Sequence, residues 1–262
     1  MVVLLTDFGE RDGFVGVLKG VMLSINPSLK FVDLTHQIEP FNITEGALVL
    51  KAHYRYFPKG SIFLGVVDPG VGSQRKAVAV RCGDYFFVGP MNGLFDLALE
   101  DIKKPIECRL IENFTLRRVN ETFHGRDVFA PVCGYLSKGV PLELVGRKIE
   151  YEFLLKWEKA VESEDRVEGK LTYFDRYGNA ITNVPCMGYS KAVFRGEEIK
   201  VVSHFLAGER GRLNSLCGSF GYMELFVPLA SAKELFNLEL GEKVVFYFGG
   251  LKAFRRCSWV VM

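Results

Sequence analysis

The feature that most constrains the fold is the alternation of short apolar runs with segments of helical period in the first half of the chain. Val2–Thr6 is an apolar run of strand length, typical of a strand buried on both faces. Asp12 then precedes a segment with apolar side chains at helical spacing from Phe14 to Ile25, which predicts a helix capped by Asp12. Phe31–Thr35 is the next strand-like run. Strands that alternate with helices predict a largely parallel central sheet covered on both faces.

The pattern changes after about residue 150. A charged, weakly apolar segment from Trp157 to Glu168 predicts a linker. Short strand-like runs separated by Gly, Asn and Asp follow it, which predicts a smaller, antiparallel, β-barrel-like domain. We therefore expect an α/β protein with an α/β domain over residues 1–155 and a barrel-like domain over residues 165–262.

Composition argues against several classes of function. The chain has 33 basic and 31 acidic side chains, a net charge of +2, and no clustered basic run, so neither a nucleic-acid nor an acidic-lipid partner is predicted. No stretch approaches the roughly 20 apolar residues that span a bilayer, and the N-terminus lacks the basic segment of a signal peptide. We expect no membrane association and a cytoplasmic location.

The cysteines fit no zinc-ligand spacing and form no CxxC pair. Unpatterned cysteines in a chain of this length are typical of a reducing compartment, so reduced, partly buried thiols are expected rather than disulfides. The six residues are Cys82, Cys108, Cys133, Cys186, Cys217 and Cys257.

Three loops of the first domain carry side chains that could do chemistry. Asp7 follows the first strand, where ligands bind in open α/β sheets, and could accept hydrogen bonds from ribose hydroxyls or serve the turn. Asp68 and Arg75 flank a Gly-rich return without a Walker lysine, so they could form a functional pair or close the turn. His124 precedes a predicted helix over about residues 127–137 and could move a proton or have no chemical role.

Two segments of the second domain offer further polar groups. Asp175, Tyr177 and Asn179 lie in a strand–turn–strand segment. They could hold an ammonium group, stack on a purine and read its edge, or they could simply favour the turn. Ser219 lies in the Gly-rich segment Gly218–Glu224, which could bind a carboxylate or form an ordinary hairpin.

Taken in order, these motifs resemble one family, the S-adenosylmethionine hydroxide adenosyltransferases, which are related to the fluorinase and chlorinase enzymes. The resemblance covers nearly the whole chain, and the motifs occur in the order seen in that family. They are TDFG from Thr6, VDPGVGSQR from Val67, GPMNGL from Gly89, TFHGRDVFAP from Thr122, DRYGNAITN from Asp175 and GSFGYMEL from Gly218.

The resemblance implies a homotrimer in which the substrate lies between the N-terminal domain of one subunit and the C-terminal domain of its neighbour. It implies hydrolysis of S-adenosylmethionine at the ribose 5′-carbon to adenosine and L-methionine, without metal or cofactor. It implies that Asp68, Arg75 and His124 hold and activate water. The implied substrate-binding positions are Asp7 for the ribose hydroxyls, Tyr177, Asn179 and Phe123 for adenine, and Asp175 and Ser219 for the methionine ammonium and carboxylate.

Two alternatives remain open at this point, a halogenase and a non-catalytic sensor of S-adenosylmethionine or adenosine. The fluorinase has Ser at the position of Gly125 and Tyr at the position of Asp68, and a carboxylate there would repel an incoming halide. The intact group of Asp68, Arg75 and His124 argues against a sensor. The sequence departs from the family at Met91, where Asp is common, and from the fluorinase at Phe220, where that enzyme has Arg.

Overall fold

The computed structural model describes residues 1–249, and the chain divides into two compact units, Met1–Lys156 and Trp157–Met262. The first unit is an α/β layer structure and the second is a β-barrel. The fold class predicted from the sequence is therefore confirmed, while the predicted domain limits at residues 155 and 165 stay predictions.

Seven strands form the sheet of the first unit. They are β1 (Val2–Thr6), β2 (Phe31–Thr35), β3 (Ile62–Val66), β4 (Ala77–Cys82), β5 (Tyr85–Pro90), β6 (Ile106–Leu110) and β7 (Lys148–Ile149). Their spatial order is β2-β1-β3-β5-β4-β6-β7. The neighbours from β2 to β5 pair in parallel, whereas β4, β6 and β7 continue by antiparallel pairings. Because β6 is antiparallel to β4, it again points in the direction of β5, and only β4 and β7 are reversed.

Helices cover this sheet on both faces. They are α1 (Phe14–Ile25), α2 (Ile43–His53), α3 (Asp96–Ile102) and α4 (Ala130–Ser137), with single turns of 3-10 helix at Tyr54–Tyr56 and Leu142–Leu144 and one π-helical turn at Gly125–Phe129. Leu4 of β1 shares a core cluster with Leu18 of α1. Side chains alternate along a strand, and the next residue, Leu5, contacts α2 beside Gly46 on the opposite face.

The start of α1 differs from the prediction. Gly13, with φ 73°, is the N-cap residue, and no side chain caps the helix. The expected cap by Asp12 is therefore wrong: the chain enters the helix through a left-handed residue, a conformation that glycine adopts without steric cost.

The second unit is a closed barrel of seven strands with one short strand added outside. The elements are β8 (Val161–Glu162), β9 (Arg166–Phe174), β10 (Ala180–Pro185), β11 (Tyr189–Phe194), β12 (Glu197–Val201), β13 (Asn214–Cys217), β14 (Tyr222–Phe226) and β15 (Lys243–Phe248), with the helix α5 (Ala232–Phe236) and a 3-10 turn at Phe205–Ala207. The order β10-β14-β13-β12-β11-β15-β9 closes through pairing of β9 with β10, and β8 extends from β9. Among the strands described up to residue 249, β12 and β13 are the one parallel pair of this unit.

Two features of the second unit contradict the sequence analysis. Part of the predicted linker is structured, because β8 and the start of β9 lie within it. Cys186 and Cys217 form a disulfide with their Cα atoms 5.2 Å apart, so the prediction of reduced thiols is wrong for this pair. The reason is topological: Cys186 follows β10 and Cys217 ends β13, and these strands flank β14 on its two sides.

The remaining cysteines within residues 1–249, Cys82, Cys108 and Cys133, are free and buried. Cys257 lies outside the described residues. Over the same residues no helix has the length and apolar character needed to cross a bilayer. The cytoplasmic location stays a prediction.

Candidate active site

The carboxyl ends of β1 and β3 meet the turn before α4 around one cavity in the first unit. Ligands bind at this edge of open α/β sheets because the loops that follow parallel strands converge there. The cavity has a volume of about 230 Å³. Its lining residues are Asp7, Phe8, Phe14, Pro40, Phe41, Val66, Asp68, Val71, Thr122, Phe123, His124 and Gly125.

Arg75 binds Asp68 through two nitrogens at this edge. Its Nε lies 3.0 Å from both carboxylate oxygens, and its Nη2 lies 2.6 Å from Oδ2. The side chains of Arg75 and Asp68 are only 9% and 5% exposed. The Gly-rich return from β3 to β4 thus brings the two charges together. The sequence analysis had given such a pair as one interpretation of Asp68 and Arg75. Asp68 Oδ1 accepts only the Nε bond and keeps a lone pair for a further donor.

The same guanidinium donates to His124, and this fixes the state of the imidazole. Arg75 Nη2 lies 2.7 Å from His124 Nδ1. A guanidinium has no acceptor, so Nδ1 must accept and the proton of the neutral ring must lie on Nε2. Burial, followed by the positive charge of Arg75, lowers the pKa of His124. His124 is therefore a neutral donor at its free nitrogen.

The buried pair is supported from two further sides. The guanidinium carbon of Arg75 lies 5.3 Å from the centre of the Phe129 ring, a cation–π contact. Asn92 Nδ2 donates to the carbonyl of Val67 at 2.8 Å and so holds the residue just before Asp68. A buried ion pair of this kind contributes little net stability, because desolvation offsets the attraction between the charges. Its retention is better explained by function.

The π-helical turn at Gly125–Phe129 places His124. A π-helical turn widens the helix locally and is frequent at functional sites. Asp127, inside this turn, is buried and accepts from the amide of Asn120 at 2.8 Å and from Arg126 Nε at 2.6 Å. The loop before His124 is thus tied to the start of the helix. The predicted helix begins three residues later than expected, at Ala130, because the π-helical turn precedes it.

Asp7 lines the cavity from the end of β1. Its Oδ2 accepts from the backbone amide of Phe41 at 2.9 Å. Phe41 has φ 68°, which is rare for a bulky residue and costs about 1–3 kcal/mol. Its side chain is 69% exposed. Asp7 therefore holds a strained loop against the cavity while one of its oxygens stays open to other donors.

Three aromatic rings form part of the cavity lining. The rings of Phe8, Phe14 and Phe123 are in mutual edge-to-face contact, with centroid distances of 5.2–5.9 Å. Such pairs contribute beyond their buried area. Phe123, one of the predicted substrate-binding residues, is thus in the cavity wall together with two rings that the sequence analysis did not assign.

The predicted polar residues of the second unit cluster at the turn between β9 and β10. Asp175 Oδ1 accepts from the amides of Tyr177 and Asn179, and its Oδ2 accepts from Asn179 Nδ2, each at 2.9 Å. Gly178 has φ 79° and lies against Ser231, so a side chain at this position would overlap the serine. These contacts fix the turn, and they leave Tyr177 76% exposed.

Ser219 lies in the turn between β13 and β14. The amide of Gly221 donates to the carbonyl of Gly218 at 3.0 Å and closes the turn. Within the described residues, neither the amide nor the hydroxyl of Ser219 makes a hydrogen bond, and the residue is exposed. Phe220 contacts the Tyr173 ring at 5.5 Å. Ser219 is therefore open to a ligand, and Phe220 is an aromatic contact.

The structure thus groups the predicted residues by unit. Asp68, Arg75 and His124 meet at the cavity edge, and Asp7 and Phe123 line the cavity. The residues missed by sequence analysis are aromatic: Phe8, Phe14 and Phe41 line the cavity, and Phe129 contacts Arg75. Residues 1–249 contain no group of three or more His, Cys, Asp or Glu that could hold a metal ion.

Comparison with known proteins places the chain among characterised relatives. Residues 2–146 match the SAM hydroxide adenosyltransferase N-terminal domain, and residues 169–245 match the corresponding C-terminal domain. A protein of Thermus thermophilus named (R)-S-adenosyl-L-methionine hydrolase is 36% identical over 93% of this chain and 98% of its own length.

More distant and structural relatives agree with this placement. A fluorinase of Actinopolyspora mzabensis is 27% identical over 93% of this chain and 96% of its own length. The crystal structure of an uncharacterised conserved protein from Thermotoga maritima superposes with a TM-score of 0.86 at 35% identity and covers 94% of this chain and 99% of that chain.

Proposed function

The chain belongs to the SAM hydroxide adenosyltransferase family, and from this membership we propose that it is an enzyme that hydrolyses (R)-S-adenosyl-L-methionine to adenosine and L-methionine. The proposed configuration of the substrate is taken from the name of the hydrolase relative. In that name, L specifies the α-carbon of the methionine part, so (R) specifies the sulfonium sulfur. The observation that carries the proposal is the contact of Arg75 with both Asp68 and His124 at the cavity edge.

The substrate needs little activation on its leaving side. The water oxygen forms a bond to the ribose 5′-carbon, and the carbon–sulfur electron pair stays on sulfur, which leaves as the neutral thioether of methionine. No general acid, metal or cofactor is required for that departure, and we propose that none is used. The enzyme must align water with the breaking bond, and such positioning can contribute roughly 7–11 kcal/mol.

The geometry favours different roles for the two residues that could take the proton. His124 Nδ1 already accepts from Arg75, so its Nε2–H can donate to the water oxygen but cannot take a proton. Asp68 Oδ1 has a free lone pair. We assign Asp68 as the acceptor of the proton that the attacking water loses, His124 as the group that orients that water, and Arg75 as the group that holds both.

Substrate binding is proposed to involve the first unit of one subunit and the second unit of its neighbour. Asp7 would bind the ribose hydroxyls and Phe123 would contact the adenine. Tyr177 and Asn179 would stack on and read the adenine, and Asp175 and Ser219 would bind the methionine part. The cavity of the first unit, at about 230 Å³, is smaller than the roughly 300–1,000 Å³ usual for ligand sites. This supports the proposal that a neighbouring subunit completes the site, and the proposal that the assembly is a homotrimer follows from the resemblance to the family.

Hydrolysis is favoured over halogenation by the charge at the cavity. Asp68 carries a carboxylate where a halide would have to bind, and Gly125 offers no hydroxyl to replace the halide's water shell. A halogenase, like the fluorinase relatives, is the second candidate. It would form 5′-halo-5′-deoxyadenosine in the presence of chloride or fluoride, which mass analysis of the products would detect.

The experiment is incubation of the purified enzyme with each sulfonium epimer in H₂¹⁸O. We expect adenosine with ¹⁸O at the 5′-hydroxyl, and preference for the (R) epimer. D68N should reduce kcat at least about 100-fold, the lower range for loss of an acid–base group. H124A should reduce kcat by a similar factor of about 100, because the attacking water is then no longer held in line. The control D84N changes an exposed carboxylate that pairs with Lys59 and should retain activity. Unlabelled adenosine, release of adenine, or binding without turnover would refute the proposal.

A further inference from the structure

Glu224 is a charged residue in an otherwise apolar row on the outer face of the barrel. It is paired across the sheet with Ile181 of β10 and Leu216 of β13, and Ile181 is in turn paired with Tyr173 of β9. Its neighbours along β14, Met223 and Leu225, belong to the core cluster inside the barrel. Side chains alternate along a strand, so Glu224 points away from that core.

The Glu224 side chain is buried without a donor. The residue is only 4% exposed, and no group within residues 1–249 donates a hydrogen bond to its carboxylate. Burial, followed by the charge of Asp175, raises its pKa to about 7. Its oxygens are not among the fully enclosed polar atoms that lack a partner within residues 1–249, so solvent reaches the carboxylate. A carboxylate that is mostly buried, has no protein donor there and still has an opening can accept a bond from a cationic ligand.

The carboxylate is directed at the turn that carries Ser219. A side chain at Gly218 would overlap Glu224 Oε2, so the carboxylate lies directly against the backbone of that turn. Asp175 follows Phe174, which pairs with Ala180, and Ala180 pairs in turn with Leu225, the neighbour of Glu224. This pairing places Asp175 close to Glu224, and its charge acts on the Glu224 carboxylate. Two carboxylates and an exposed hydroxyl thus lie together, a donor set that suits an amino acid with its ammonium between the acids and its carboxylate on the turn.

We propose that Glu224 is a second binding residue for the α-ammonium group of the amino-acid part of the substrate. Asp175 has little acceptor capacity left for a ligand, because its two oxygens already accept three hydrogen bonds from its own turn. An ammonium group has three donors and can satisfy both acids. The inference rests on the proposed function, because it takes the amino-acid part of the substrate to bind at this turn. Glu224 touches no reacting atom and acts on affinity.

The test compares E224Q with E197Q, which changes an exposed glutamate of the same barrel. Steady-state assays should give a KM for the substrate raised at least tenfold in E224Q, with kcat within about threefold of the wild type. Calorimetry should show L-methionine binding at least tenfold weaker in E224Q, with 4-(methylthio)butanoate, which lacks the amino group, affected less than twofold. Adenosine affinity should be unchanged in both variants, which excludes general damage to the fold.

The outcomes separate the two proposals. An E224Q enzyme with unchanged KM and unchanged L-methionine affinity overturns the role of Glu224 while leaving hydrolysis intact. Equal weakening of L-methionine and of 4-(methylthio)butanoate also overturns it, because recognition of the ammonium would then not depend on Glu224. A wild-type enzyme that releases no adenosine refutes the proposed function instead, and the calorimetric comparison still decides the role of Glu224.

Discussion

Replacing Glu224 by Gln should stabilise the protein relative to the wild type at neutral pH. This gain in stability should be smaller in acid. The folded chain raises the pKa of this carboxyl from 4.5 to about 7, by burial and then by the charge of Asp175. Below pH 4.5 both folded and unfolded chains hold the proton. Between pH 4.5 and 7 the unfolded chain ionises first, so the stability of the wild type falls as pH rises, and it stays reduced above pH 7.

The size of the effect follows from the shift. Each pKa unit corresponds to about 1.4 kcal/mol, so a shift from 4.5 to about 7 gives roughly 3 kcal/mol. Gln cannot ionise and avoids this term. The free energy of unfolding of E224Q minus that of the wild type should therefore increase by about 3 kcal/mol between pH 4 and pH 8, mostly between pH 5 and pH 7.

The assay is urea unfolding of both proteins at four pH values from 4 to 8, followed by circular dichroism. Subtracting the two proteins removes every titration that they share. E197Q, which changes an exposed glutamate, should show a difference within 0.5 kcal/mol at all pH values, as is usual for surface substitutions. A difference between E224Q and the wild type that does not change with pH would refute the reasoning, because the carboxylate would then not be strained by its surroundings.

Three further outcomes are expected. NMR titration of the free enzyme should show His124 protonating below its ordinary pKa of 6.5 and carrying its neutral-state proton on Nε2; a proton on Nδ1 would contradict the bond from Arg75. D7A should raise KM about tenfold with a smaller effect on kcat, since Asp7 holds the Phe41 loop and, within residues 1–249, makes no hydrogen bond to Asp68, Arg75 or His124; a selective loss of kcat would contradict this. The double variant C186S/C217S should lose about 4 kcal/mol of unfolding free energy. In the chain-entropy model, this is the stabilisation that a disulfide with a sequence separation of 31 provides by restricting the unfolded chain. A reductant should not destabilise the double variant further.

The alternation of strands and helices predicted the layered first unit, because the spacing of apolar residues can be recognised within each short segment. The antiparallel strands of this sheet were not predicted, although Cys82 and Tyr85 leave only two residues between β4 and β5. A connection of that length allows only a hairpin, whereas a parallel pair needs a crossover. The charged segment from Trp157 to Glu168 was misread because β8, which lies within it, is a two-residue strand outside the barrel with both of its residues exposed.

The parts of the candidate site that lie on loops after strands could be predicted from the sequence. The parts whose position depends on tertiary packing could not. Asp68 and Arg75 flank a short return, so their contact could be anticipated, but the bond from Arg75 to His124 depends on a π-helical turn without sequence signature. Glu224 alternates with core residues and reads as a solvent-facing position. Nothing local indicates that the outer face of its strand is buried. The disulfide was missed for a similar reason, since only the strand order brings its cysteines together.

The bond between Cys186 and Cys217 has a consequence for how the barrel opens. It joins the segments at the ends of β10 and β13, the two strands that pair with β14. We therefore expect that β14 does not separate from one of these neighbours while it stays paired with the other. Local openings of lowest free energy would then occur elsewhere, and the amides of β14 should exchange with deuterium only when the whole barrel unfolds.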